Sequence, residues 1–222
     1  MKRNLALSLV ILLISTGLAL AEQVERPKPR TWADPDRLSY EEIRFSPPRP
    51  ERVVLENGLT VYYLEDRELP LVNISLIVGA GSVFEPPGKE GLAEMTGDVI
   101  RTGGAATLTG DKVDEELEYL AAPISISLGM EYGTGSLSVL KKDLNRAFKI
   151  FADLIRNPAF DEAKLDQEKN LKVEELRRIF DKPQRLAFRE FKKAIYAGNP
   201  RGRLPVISSI EKIERDDLVS FH

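Results

Sequence analysis

GLAEMTGDVIRTGG, Gly91 to Gly104, decides how the rest of the chain is read. Leu92, Met95 and Val99 recur at helical spacing, Pro86-Pro87-Gly88 sets a turn ahead of them, and Thr102-Gly103-Gly104 stops the pattern. A helix is therefore expected over 91–101. It has the outline of a metal-binding helix, with Glu94 and Asp98 one turn apart on one face, yet it lacks histidine. The whole chain of 222 residues holds one histidine, His222, and no cysteine. Disulfides, thiolate metal sites and a two-imidazole site from this chain alone are excluded.

On the N-terminal side, RVVLENGLTVYYLED (52–66) reads as a hairpin: Val53 and Leu55, a turn at Asn57-Gly58, then Leu59, Val61 and Tyr63 alternating. LVNISLIVGAGS (71–82) reads as a third strand. On the C-terminal side, Val113, Leu117 and Leu120 share one face of a helix over about 111–121. Strands follow at Ile124–Leu128 and Tyr132–Leu140. Asp143 is expected to cap a helix to Arg156 that carries Leu144, Ala147, Phe148, Phe151, Leu154 and Ile155 at core spacing. A long amphipathic helix over about 161–180, a further one over 184–196 and a short one from Glu214 to Phe221 complete the pattern. Hairpins and strands followed by helices argue an α+β fold, a mainly antiparallel sheet with helices packed on one face.

Composition narrows the function. Charged residues make up 30% with both signs interspersed, and the net charge is -3, so there is no basic footprint for nucleic acid. Lys2 and Arg3, an apolar run from Leu5 to Ile14, and Ala19-Leu20-Ala21 before Glu22 have the layout of a secretory signal over 1–21. The run is shorter than the ~20 residues a membrane span needs, so the cleaved protein is expected in the periplasm without stable membrane insertion. Residues 22–50, rich in Pro, Arg and Glu, read as an arm or linker, with Trp32 and Phe45 available to pin it to a surface. The folded module is expected over 51–222.

From Arg52 to His222 the chain resembles the first module of the insulinase/pitrilysin peptidases, the inverzincins, whose fold is that of the mitochondrial processing peptidase. The resemblance rests on NGLTVYYLED, GAGSVFEPPGKEGLAE, SLSVLKKDLNRAFKIFADLIRNPAF, EKNLKVEELRRIFDKP and IEKIERDDLVSFH, in the family's order. The family pattern continues past a segment like DLVSFH, so the module is expected to be C-terminally incomplete, with an unpaired sheet edge. In the family, H-x-x-E-H on the first helix supplies two zinc ligands and the base that takes a proton from zinc-bound water. The resemblance puts Glu94 at the first histidine, Gly97 at the base and Asp98 at the second histidine. It puts Glu175 at the downstream glutamate ligand, with Glu168 two turns earlier.

A glycine has no side chain to accept a proton, so no catalytic residue is expected in this chain, and no cofactor. Glu94, Asp98, Glu168 and Glu175 remain as carboxylates suited to a hard divalent cation rather than to zinc. Their ordinary reading is acidic positions on helix faces, with Glu168, Lys172, Glu175 and Arg178 forming i,i+3 and i,i+4 pairs on a solvated surface. Convergence of Glu94, Asp98 and Glu175 would raise a pKa or call for a cation. The resemblance implies a secreted pseudoenzyme, the non-catalytic half of a heterodimer. Its partner would carry H-x-x-E-H and the zinc, and this chain would help bind extended peptide. Two alternatives are a hydrolase using a divalent ion at Glu94/Asp98/Glu175 and a stand-alone peptide-binding scaffold.

Overall fold

A computed structural model describes Asp34, residues 38–40 and residues 44–222. The signal segment 1–21 and Trp32 lie outside the described residues. Residues 44–50 have no regular secondary structure, and Phe45 is 85% exposed rather than pinned. The chain divides into two compact units, one ending at Leu64 and one spanning Glu65–His222.

The first unit contains the expected hairpin. Strands β1 (Glu51–Val54) and β2 (Thr60–Tyr63) pair antiparallel with Val53 opposite Val61. Gly58 takes the left-handed conformation that the Asn-Gly turn requires, at φ 85°. The two strands form a sheet of their own, and Val54, Tyr62 and Tyr63 are all more than half exposed.

The second unit is built on β3 (Leu71–Val78), β6 (Ile124–Leu128) and β7 (Gly133–Leu140), in the antiparallel order β3-β7-β6. Alternation along β7 turns Leu137 and Val139 inward while Thr134, Ser136 and Leu140 stay on the exposed side. One face is thus apolar, as the α+β reading requires, and the helices Leu92–Thr102 and Leu144–Arg156 pack on β6 and β7, with further helices around them. The helices are α1 (Leu92–Thr102), α2 (Gly110–Leu120), α3 (Leu144–Arg156), α4 (Glu162–Arg177), α5 (Pro183–Ile195), α6 (Ile207–Glu211) and α7 (Arg215–Phe221). The pair β4 (Gly104–Ala105) and β5 (Leu108–Thr109) sits between α1 and α2. These two strands and α6 are too short to leave a periodic signature, and the sequence reading has neither.

Leu92, Met95 and Val99 of α1 are buried at 2, 1 and 0% exposure, and Val113, Leu117 and Leu120 of α2 join them in the core. Two expectations about α3 are corrected. Asp143 makes no capping hydrogen bond, because a 3-10 turn over Lys141–Asp143 leads into the helix. Phe148 is 47% exposed, and Ile150 takes the core position instead, in phase with Ala147 and Leu154. Helix α4 ends at Arg177, short of the expected 180, where a 3-10 turn begins. Its start is capped by Asp161, which accepts from Lys164 N at 2.9 Å.

Candidate functional site

Helix α1 packs against β6, α4 and α7, and the site forms where α1 meets α4. Its entry is held from outside the helix. Glu85, only 4% exposed, accepts hydrogen bonds at Oε1 from Gly91 N at 3.1 Å and Ala93 N at 2.8 Å. Gly91 itself is left-handed at φ 103°, a turn that glycine makes without strain. Burial pushes the Glu85 carboxyl up, although both amides favour its charged form. Sequence reasoning does not single out Glu85, which stands just before the Pro86-Pro87-Gly88 turn. Its signal is an acid six residues ahead of a cap position, Gly91, that has no side chain of its own to accept from the first amides.

One turn in, α1 presents the family's motif positions. Glu94 and Asp98 lie on the side facing α4, and Gly97 faces β6. A Cβ built on Gly97 would stand 3.0 Å from Leu128 N and 3.4 Å from Ser127 Cα. Backbone of β6 therefore occupies the space into which a longer side chain at 97 would begin.

From α4, Lys172 reaches across the gap. Its Nζ donates to Glu94 Oε1 at 2.7 Å and to Glu175 Oε2 at 2.8 Å. The expectation that Lys172 sits on a solvated helix face is corrected: its side chain is 13% exposed, because it crosses between the helices. The i,i+3 pair with Glu175 is present, but it is half of a bridge. Burial alone would lower the Lys172 pKa; the hydrogen bonds it donates to Glu175 and Glu94 outweigh that and hold the ammonium above its ordinary value. Those same contacts, the Lys172 hydrogen bond first, hold Glu175 below the usual carboxylate range, and Arg185 adds a second cation at 3.6 Å from its Oε1.

Asp98 lacks that compensation. Burial raises its pKa from 3.8 to about 6, and the charges of Glu94 and Glu168 add to the rise while Lys172 opposes it. Asp98 thus shares its surroundings with Glu94 and Glu168, while Glu175 joins the group only through the cation that lies between it and Glu94. The cation is a side chain.

This donor set does not fit the zinc of H-x-x-E-H. Two imidazole positions carry carboxylates, the base position carries a hydrogen atom, and an ammonium stands between Glu94 and Glu175. Among the described residues, no group of three or more His, Cys, Asp or Glu side chains is gathered closely enough to hold a metal ion. His222 is engaged elsewhere: its Nε2 lies 2.7 Å from Ile155 O, and its ring meets Phe160 edge-on at 5.7 Å.

With this geometry in hand, known proteins offer a frame for it. A sequence model described as insulinase (peptidase family M16) matches residues 60–205. An uncharacterized zinc protease of Rickettsia bellii (strain RML369-C) is 29% identical over 169 residues, covering 75% of this chain and 41% of that protein. The mitochondrial-processing peptidase subunit beta of Bos taurus is 27% identical over 182 residues, covering 81% of this chain and 37% of the relative. Among solved structures, the peptidase M16 inactive domain from Pseudomonas fluorescens aligns with a TM-score of 0.72 at 26% identity, over 78% of this chain and 42% of that one. The periplasmic protease PqqL from Escherichia coli aligns at 0.67 and 15% identity, over 92% of this chain and 24% of its own, which is a likeness of fold. The chain spans about two-fifths of the length of the curated relatives it matches, 41% for the Rickettsia bellii protein.

Proposed function

This chain belongs to the insulinase peptidase family, and from that premise we propose that it is a non-catalytic, peptide-binding subunit serving a zinc-bearing partner. The observation that carries the proposal is Gly97. A peptidase of this family needs a carboxylate there to take the proton from water, and here the position has no side chain and lies against Leu128. The bridge from Lys172 to Glu94 and Glu175 supports the same reading and disfavours a hydrolase using a carboxylate-bound ion. The likeness to an inactive M16 domain is consistent with it.

Peptide binding would use the outer edge of β6, which among the described residues pairs only with β7. Ser138 N donates to Pro123 O, so in this register Ser125 and Ser127 direct their backbone groups at β7. The backbone groups of Ile124 and Ile126 then point away from the ladder; Ile124 O is already taken by Arg101 Nε at 3.1 Å, so an extended peptide would be held by its own backbone at Ile126. The reading extends to a periplasmic location on the strength of residues 1–21. Among the described residues no helix is long and apolar enough to cross a membrane.

The test is an assay of the purified full chain, with and without added zinc, against a mixture of fluorogenic peptides. No turnover is expected. Zinc-dependent cleavage that Glu94→Gln abolishes would refute the proposal. Cell fractionation, with the full chain expected in the periplasmic extract, checks the location.

A further inference from the structure

Glu94 on α1 and Glu175 on α4 stand at two ligand positions of the family motif, and one ammonium, Lys172 Nζ, bridges them at 2.7 and 2.8 Å. We infer that Lys172 is the resident cation of this site, fixing α1 to α4 and closing the carboxylates to divalent ions. The inference rests on the non-catalytic reading and goes one step further, by naming what stands in the ion's place.

Like charges brought together on facing helices need a counter-charge, and the lysine ammonium is a compact point charge with three donors. Two of those donors are spent on the two carboxylates. With the Lys172 side chain 13% exposed, salt and water screen this bridge less than an open surface pair. Arg185 lies 3.6 Å from the other Glu175 oxygen, so that carboxylate faces cations on both sides. A divalent ion entering between Glu94 and Glu175 would have to break both Lys172 hydrogen bonds and then sit beside a displaced, half-buried ammonium. Repulsion between the two cations opposes that entry. The pair also has a mechanical effect, because its partners lie 78 residues apart and belong to different helices.

Thermal melting of the full chain, alone and in millimolar Zn2+, Mn2+ or chelator, tests the inference. The wild-type midpoint should be the same in all four conditions. Lys172→Met should lower it by about 4 °C or more. Lys172→Met/Glu94→Gln should regain at least half of the loss, because Glu94 loses its ion-pair partner whereas Glu175 keeps Arg185. A wild-type midpoint raised by either ion, in a way Glu175→Gln abolishes, overturns the inference. So does a Lys172→Met protein that melts like wild type. A double variant no better than Lys172→Met assigns the loss to packing and also overturns it. If Lys172→Met does not fold, Glu94→Gln/Lys172→Met/Glu175→Gln decides: a folded protein supports a counter-ion role, and an unfolded one rejects it. Metal binding without peptide cleavage overturns this inference alone, whereas zinc-dependent cleavage overturns the non-catalytic reading beneath it.

Discussion

At Asp98 the electrostatics of the site between α1 and α4 reach the pH range of ordinary experiments. Its folded-state pKa of about 6 lies above the ordinary 3.8, so between those values the folded protein holds a proton that the unfolded chain has released. Stability contributed by that proton is fully present below the ordinary value and is lost as pH rises through the folded one. Asp98→Asn removes the penalty, so the variant should match wild type near the low end of the window. Above it the variant should be more stable by about 1 kcal/mol, discounted for partial exposure. Denaturant melts across the window check this, and a gap that stays constant with pH would reject the assignment. The identities at 94, 97 and 98 were legible as missing ligands. The bridge was not, because an i,i+3 Lys–Glu pair looks the same on paper whether it faces water or another helix.

Helix α1 depends on a residue outside it. Glu85 Oε1 accepts from both Gly91 N and Ala93 N, serving two of the amides that a helix start leaves without partners. Glu85→Ala should cost about 1–3 kcal/mol, because it leaves buried donors unpaired. Glu85→Gln keeps the accepting oxygen and should cost much less, so comparing the two melts separates the hydrogen bonds from the charge. Helix α5 is the opposite case. None of its residues is buried, and Phe188 and Phe191 are 69 and 58% exposed. Phe188→Ser/Phe191→Ser should change stability by less than about 1 kcal/mol while reducing binding of an apolar dye. A large loss of stability would mean that these rings are buried in solution. Elements with a strong period, such as α1, α2 and β7, were read correctly from spacing alone. The misses came where phase or length gave no signal: Phe148 against Ile150 in α3, the two-residue strands β4 and β5, and the five residues of α6.

At the scale of the molecule, a family frame without its base implies a division of labour. Binding through the β6 edge and proton transfer through a partner's motif would act on different kinetic constants. A group that contacts substrate equally in the ground and transition states changes KM and leaves kcat alone. Ile126 is the probe, because its amide points away from β7 while Ser125 and Ser127 hold the ladder. Ile126→Pro removes one outward donor and leaves the pairing of β6 with β7 in place. In an assay reconstituted from this chain and an H-x-x-E-H subunit, the variant should raise KM about ten-fold, the effect of losing roughly 1.4 kcal/mol of binding, with kcat unchanged. A matching Ile126→Ala control corrects for the partly buried side chain. An equal fall in kcat and kcat/KM would place this strand in the chemistry rather than in binding, and the division of labour proposed for the chain would then be wrong.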